Sequence, residues 1–268
     1  MFCFSGLTAP EGPDRGVTPV YLRCSQGQLR WSYPRGALRV VLRAGRSGGE
    51  FRGCLKVAPD FGGARVFLEG PRSLTLLFAP DDEVPQQLAR CFHSRDGQAA
   101  LYVEAVNSQV ALRREEAAFS YHLQPLPSGR KFYEEEEDCR PCTPEEMVRL
   151  YCTSDFVARG IITGVSNNEQ LARGEVRTRV SVVYRQLEAV FLPRNTSDPY
   201  QYQYRAHHEG TLMVPLHCGA RHGPGEFLFI GRMVLGEPFL TCAPRLEEWA
   251  PIRAAALDDG TAQCILET

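Results

Sequence analysis

The 268-residue chain has almost no lysine, with only Lys56 and Lys131 among its 30 basic residues. It also lacks a long hydrophobic run and an excess of either charge. No stretch of about 18 apolar residues occurs, so insertion across a bilayer by a helix is not expected. A formal charge of -2 and a pI near 6.3 give no global electrostatic case for nucleic acid or an anionic membrane as partner. The arginine bias accompanies a composition rich in Ala, Gly and Pro, which codon usage explains more simply than selection for bidentate anion binding.

Catalytic patterns are missing as well. There is no G-x-S-x-G elbow and no H-E-x-x-H pair, so Ser154, Asp155 and His217 form a hydrolytic triad only on paper. A zinc ribbon needs a second close cysteine pair at finger-like spacing, and none follows Cys139-Arg140-Pro141-Cys142. Neither a cofactor nor a resident metal is therefore expected, and the chain reads as a non-enzyme. The start Met1-Phe2-Cys3 carries no basic segment followed by an apolar one. The expectation is that a leader has been removed or that the reading frame starts late.

What the chain does have is ten cysteines. Cys3, Cys24, Cys54 and Cys91 precede an acidic run, and Cys139, Cys142, Cys152, Cys218, Cys242 and Cys264 follow it. Even counts on both sides let every thiol pair within its own domain, as an extracellular disulfide framework requires. Asn195-Thr196-Ser197 is a glycosylation sequon at Asn195 in a polar segment. Together these features predict a secreted protein.

Residues 1–124 read as strands. Val20–Cys24, Leu38–Arg43, Ala64–Glu69, Leu74–Phe78, Ala100–Ala105 and Phe119–Leu123 are short β-branched or aromatic runs. Pro34-Arg35-Gly36, Ser47-Gly48-Gly49, Phe61-Gly62-Gly63 and Asp96-Gly97 separate them as turns. That alternation predicts an antiparallel β-sandwich. Residues 125–138 end in Glu134–Asp138, a block of like charge that resists compaction and reads as a linker.

Residues 139–268 open with a capping box, in which Thr143 is the N-cap, Pro144 the first helical residue and Glu146 the third. Met147, Leu150 and Tyr151 follow at helical spacing. Strands are expected at Asp155–Ile162, Val176–Tyr184, Ala189–Leu192, Thr211–Leu216 and Glu226–Ile230. A second helix follows Pro244, with Pro251 expected to kink or split it. Strands flanked by helices, with cysteines near both, predict a small β-barrel stapled to its helices.

Several stretches carry a resemblance. Cys139-Arg140-Pro141-Cys142, Cys152-Thr153-Ser154-Asp155-Phe156-Val157, Cys218-Gly219, Gly223-Pro224-Gly225-Glu226-Phe227-Leu228-Phe229, Gly236-Glu237 and Cys242-Ala243-Pro244-Arg245 resemble the meteorin family. Tyr33–Leu38 and Val66–Glu69 fit it in the first half. Phe4-Ser5 departs from the family's usual Ser-Trp, and Tyr200 to His208 is a tyrosine-rich insertion. The resemblance implies a CUB-like sandwich followed by a netrin-like barrel of OB type. It further implies a secreted cytokine-like, hormone-like or neurotrophic ligand acting through a cell-surface receptor, in glial differentiation, axon network formation, energy balance or immune regulation. The implied bridges are Cys3 with Cys24, Cys54 with Cys91, Cys139 with Cys218, Cys142 with Cys242, and Cys152 with Cys264. Ten thiols allow roughly 945 pairings and confinement to two domains about 45. Each long loop closed in the second domain stabilises it by about 4 kcal/mol on the chain-entropy picture.

Three functional readings compete with the receptor ligand. A redox role for Cys139 and Cys142 needs a thioredoxin-like βαβ context that the acidic linker does not supply. Protease inhibition through an N-terminal cysteine fails because the nitrogen of Cys139 is an amide, unless the chain is cut just before it. A sulfated glycan is a further partner class, with Arg173, Arg177, Arg179 and Arg185 partly alternating along one strand, so the alternative to the receptor ligand is an extracellular matrix or heparin-binding, or protease-modulating, netrin-like module. Receptor contacts are assigned to surface loops: Gly219 to Gly225 with His222, and Tyr200 to His208 with Tyr202 and Tyr204.

Overall fold

The computed structural model describes residues 2–8, 16–45, 48–81, 88–106, 115–126, 139–193 and 208–267. The chain divides into two compact units, Met1–Tyr133 and Glu134–Thr268. It is mainly β, a sandwich followed by a barrel with flanking helices.

Ten strands form the first unit among the described residues: β1 (Phe2–Thr8), β2 (Val17–Leu22), β3 (Gln26–Ser32), β4 (Ala37–Leu42), β5 (Phe51–Val57), β6 (Ala64–Glu69), β7 (Leu74–Phe78), β8 (Arg90–His93), β9 (Ala99–Ala105) and β10 (Glu116–Pro125). They make two five-stranded sheets of order β1-β3-β10-β5-β8 and β2-β4-β9-β6-β7. Alternation drives the packing. In β5, Phe51, Gly53, Leu55 and Val57 face inward while Arg52, Cys54 and Lys56 are half-buried on the other face. Trp31, Phe51, Phe119, Tyr121, Val40, Leu101 and Phe78 from both sheets share one apolar core, the arrangement expected when two sheets pack face to face.

Three sequence expectations need correction here. The sandwich is not wholly antiparallel, because β1 pairs with β3 and β2 with β4 in parallel. Strand β2 ends at Leu22, before Cys24, and the chain turns through Ser25 into β3. Strand β10 runs to Pro125, and Leu126 then donates to the carbonyl oxygen of Glu50 at 2.8 Å, so ordered pairing passes the boundary set at residue 124.

The second unit contains helix α1 (Pro144–Thr153), strands β11 (Phe156–Asn168), β12 (Arg173–Gln186), β13 (Leu192–Pro193), β14 (His208–Pro215), β15 (Phe227–Val234) and β16 (Glu237–Cys242), and helix α2 (Leu246–Asp258). The pairing order β12-β11-β15-β16-β14 closes on itself through β12 and β14. One contact in this ring is parallel, Met213 of β14 with Phe239 of β16. Five long strands closed in this order form an OB-type Greek-key barrel. Register shifts near Val157, Arg159 and Ile162 bend β11 around the closure. Phe156, Val180, Phe191, Leu212 and Phe229 fill the interior.

A second apolar cluster joins the helices to the barrel, with Met147, Leu150, Tyr151, Leu228, Ile230 and Trp249 at its centre. The rings of Tyr151 and Trp249 stack at 5.3 Å and 7°, tying α1 to α2. Burial pushes the Tyr151 phenol upward in pKa, and its oxygen accepts from the Glu267 backbone N–H at 3.1 Å. Gly231 permits the closest approach in the wall, since a Cβ there would sit 2.2 Å from both the Phe156 ring and the Phe239 carbonyl oxygen.

Two further expectations differ. Helix α2 runs unbroken through Pro251. The proline costs one backbone bond, and Trp249 and Ala256 on either side of it both pack into the second cluster, so the helix is not split there. The Ala189–Leu192 segment is not a strand of that length, because β13 covers only Leu192–Pro193. Phe191 instead plugs the barrel, and its N–H donates to the Gln186 side-chain oxygen at 3.0 Å rather than to a ladder.

Candidate functional site

The capping box at α1 forms as its sequence dictates. Thr143 Oγ1 accepts from the Glu146 N–H at 3.3 Å, and the Glu146 carboxylate accepts from the Thr143 N–H at 2.9 Å. Arg140, between the two cysteines of the C-x-x-C segment, forks onto the same carboxylate at 2.8 and 2.5 Å. That hydrogen-bonded guanidinium, followed by the Thr143 N–H, pulls the Glu146 carboxyl down to about 2. Cys139 and Cys142 do not pair with each other. Cys139 is bridged to Cys218 and Cys142 to Cys242, with Cα separations of 5.1 and 6.1 Å.

Cys152 leaves the end of α1 and bridges to Cys264, 5.6 Å away between Cα atoms. In the sandwich, Cys54 and Cys91 lie directly opposite in β5 and β8 and are bridged at a Cα separation of 4.1 Å. Cys24 is disulfide-bonded. The side chain of Cys3, the partner named for it, lies outside the described residues, as do Asn195, Tyr202 and Tyr204.

The loop from Gly219 to Gly225 lies within the described residues. It leaves a short 3-10 turn, Leu216–Cys218, whose last residue is anchored by the Cys139 bridge. Its other end is fastened by Arg245, which donates from Nη1 to the Pro224 carbonyl oxygen at 2.8 Å and sits 5.5 Å over the Phe227 ring. Backbone bonds from Leu246 to the Glu226 oxygen and from Leu228 to the Pro244 oxygen lock the segment behind it. Gly225 adopts φ +99, and a Cβ there would meet Arg245 Nη1 at 3.2 Å. Between these anchors Arg221 and His222 are exposed. The loop is thus held at both ends while presenting a guanidinium and an imidazole to solvent. Sequence reading found His222 but missed Arg245, which stands beyond a proline at the start of a helix and carries no local sign of a partner 21 residues earlier.

The paper triad does not assemble. Ser154 is buried and its hydroxyl makes no hydrogen bond. The Asp155 carboxylate accepts from the Met233 N–H at 2.8 Å, and its backbone pairs with Gly231 and Leu187. These residues set the start of β11.

The four arginines proposed for sulfate divide into two pairs. Arg185 turns onto the end of α1 and donates to the carbonyl oxygens of Ser154 at 2.9 Å, Cys152 at 3.3 Å and Tyr151. Arg173 is largely buried between Glu175 and Glu237. Arg177 is exposed and Arg179 approaches Glu209 at 4.0 Å. The strand face therefore offers two of the four to a polyanion.

Fold and site together define a disulfide-bridged β-sandwich and OB-type barrel pair, with a fastened surface loop. The chain matches the family models described as Meteorin-like protein N-terminal domain over residues 2–131 and Meteorin, C-terminal domain over residues 141–256. It is 35% identical to Meteorin-like protein of Xenopus laevis over 98% of this chain and 88% of that one. Identity to human Meteorin-like protein is 35% over 98% and 82% of the two chains, and to mouse Meteorin 34% over 94% and 85%. Among solved structures, the CUB1-EGF-CUB2 domains of rat MASP-1 align with a TM-score of 0.31 and 13% identity, over 66% of this chain and 56% of that one.

The chain belongs to the meteorin family. No catalytic family is indicated by the matches. Among the described residues no helix is long and apolar enough to cross a membrane.

Proposed function

We propose that this protein is a non-catalytic extracellular ligand of a cell-surface receptor and that the Gly219–Gly225 loop is one of its contact surfaces. The observation that carries the reading is the double fastening of that loop, by Cys139–Cys218 at one end and by Arg245 on Pro224 at the other, with Arg221 and His222 exposed between them. A contact surface held in one conformation before binding avoids the ordering cost of a mobile segment. Tyr202 and Tyr204 are a second proposed contact, and Asn195 a proposed glycan attachment site. The roles in glial differentiation, axon network formation, energy balance and immune regulation belong to the same proposal.

Binding of labelled protein to responsive cells tests it. Replacing Arg221 and His222 together by alanine is expected to weaken saturable binding at least fivefold with an unchanged melting temperature. Unchanged binding would remove the loop from the interface. Tyr202→Ala with Tyr204→Ala in the same assay judges the second contact independently.

A polyanion reading draws on Arg177 and Arg179 alone. Retention on immobilised heparin that falls steeply with salt, and falls further on replacing both arginines by glutamine, would favour it. Retention insensitive to both changes would count against it.

A further inference from the structure

Of the three bridges in the barrel unit, two involve cysteines packed on the apolar cluster under the helices, Cys142–Cys242 and Cys152–Cys264. The third is placed differently. Cys139 is exposed, Cys218 is half-buried, and the exposed His217 stands beside them. The two sulfurs and an imidazole nitrogen of His217 lie within 4.8 Å of one another, and this is the one such group of metal-donor side chains among the described residues. In the bridged state both sulfurs are used in the covalent bond and cannot act as thiolate ligands.

Opening the bridge leaves the donors close together. Cys139 stands three residues before Cys142, which its own bridge holds to Cys242. Cys218 closes a 3-10 turn in which the Gly219 N–H donates to the Leu216 oxygen at 3.1 Å. Zinc with two thiolates and one imidazole needs bonds of roughly 2.3 Å and 2.0–2.1 Å, so its donors sit on the order of 3.5 Å apart. The present spacing, within 4.8 Å, is close to that requirement.

We propose that Cys139, Cys218 and His217 form a redox-controlled zinc site, closed as a disulfide and opened by a dithiol reductant. The step balances. The dithiol gives two electrons and becomes a disulfide, the Cys139–Cys218 bond breaks, and the two protons pass to the two cysteines. Zn²⁺ then binds through both sulfurs and the neutral imidazole, releasing two protons to solvent and leaving a fourth position for water. Because Cys218 leads directly into the Gly219–Gly225 loop, opening the bridge also frees one of that loop's two fastenings. The site stands independently of any receptor reading.

The test is limited reduction of the full chain with dithiothreitol, bridge mapping by differential alkylation, and titration with Co²⁺ after removal of the reductant. The expected result is opening of Cys139–Cys218 with Cys142–Cys242 and Cys152–Cys264 intact, and one Co²⁺ per chain with a thiolate charge-transfer band that Zn²⁺ abolishes. The oxidised protein should show no such band. His217→Ala, at an exposed position, should weaken Co²⁺ at least tenfold while the melting temperature of the oxidised protein stays within a few degrees of wild type. It also separates this site from metal held at any other opened bridge. Opening of the two packed bridges at the same reductant concentration, absence of the band after reduction, or equal affinity in His217→Ala would each overturn the proposal.

Discussion

Arg245 donates to the Pro224 carbonyl oxygen at 2.8 Å from 21 residues away. The same residue begins the cap of α2, where its backbone N–H donates to the Glu248 carboxylate at 3.0 Å. One residue thereby couples the start of α2 to the loop before β15. Arg245→Ala is expected to destabilise the unit by about 1 kcal/mol through loss of the charged hydrogen bond and the Phe227 contact. Amide exchange should quicken across Ala220–Gly225 and stay unchanged in α1. Unaltered protection in the loop would show that its backbone alone holds it.

Glu146 supplies a pH dependence whose sign follows from its lowered pKa. Its carboxylate is held by Arg140 and the Thr143 N–H from an ordinary value of 4.5 down to about 2. A carboxyl depressed on folding contributes stability that is present above the unfolded value and lost as pH falls through the folded one. Wild type should therefore exceed Glu146→Gln in melting temperature near neutrality, and the gap should narrow between about pH 4.5 and pH 2. Melting curves of the two proteins across that range check it, and a constant gap would refute it.

Arg185 is structural. It satisfies three carbonyl oxygens where α1 ends, groups that a helix leaves without partners. Arg185→Met should cost about 2–3 kcal/mol in urea unfolding of the barrel unit. Arg177→Met, at an exposed position, should stay within about 0.5 kcal/mol of wild type. Equal effects would mean that the two arginines are equivalent.

Gly231→Ala should be among the most damaging single-methyl additions. The new Cβ would fall 2.2 Å from the Phe156 ring and from the Phe239 carbonyl oxygen, in a wall where overpacking costs about 1–3 kcal/mol or more. Gly16→Ala, with nothing within 4 Å and no positive φ, should be neutral or slightly stabilising. Expression yield and melting temperature of the two variants give the comparison.

Much of this architecture is legible locally. The α1 capping box, the inward alternation at Ala64–Glu69 and the strand at Leu38–Arg43 each depend on residues within a few positions of one another. Strands β3 and β5 escaped notice because Gln26-Gly27-Gln28 and Arg52-Gly53-Cys54 dilute the apolar signal with glycine and polar residues. In the folded sheet Gly27 and Gly53 occupy inward positions. At Gly53 a Cβ would strike the Phe92 ring at 2.6 Å. Such a glycine reads as a turn until its neighbour across the sheet is known. Strand β16 was missed for a related reason, since Glu237-Pro238 opens it with a charge and a residue that donates no ladder bond.

For the site, His222 was visible as an exposed-type residue among glycines, whereas its fastening was not. The roles of Arg245, Arg185 and Asp155 arise from partners 21, 31 to 34 and 78 residues distant, and no periodicity encodes such a distance.

By itself the sequence determined the two-unit division of cysteines, the mainly β character and the capped first helix, because each depends on composition or on contacts within a turn or strand. Tertiary structure alone decided that β12 meets both β11 and β14 to close a barrel, and that Arg173 and Arg185 turn inward while Arg177 faces solvent. Those outcomes follow from how the whole wall packs around Phe156, Phe191 and Phe229, where burying one face fixes which distant atoms come within reach.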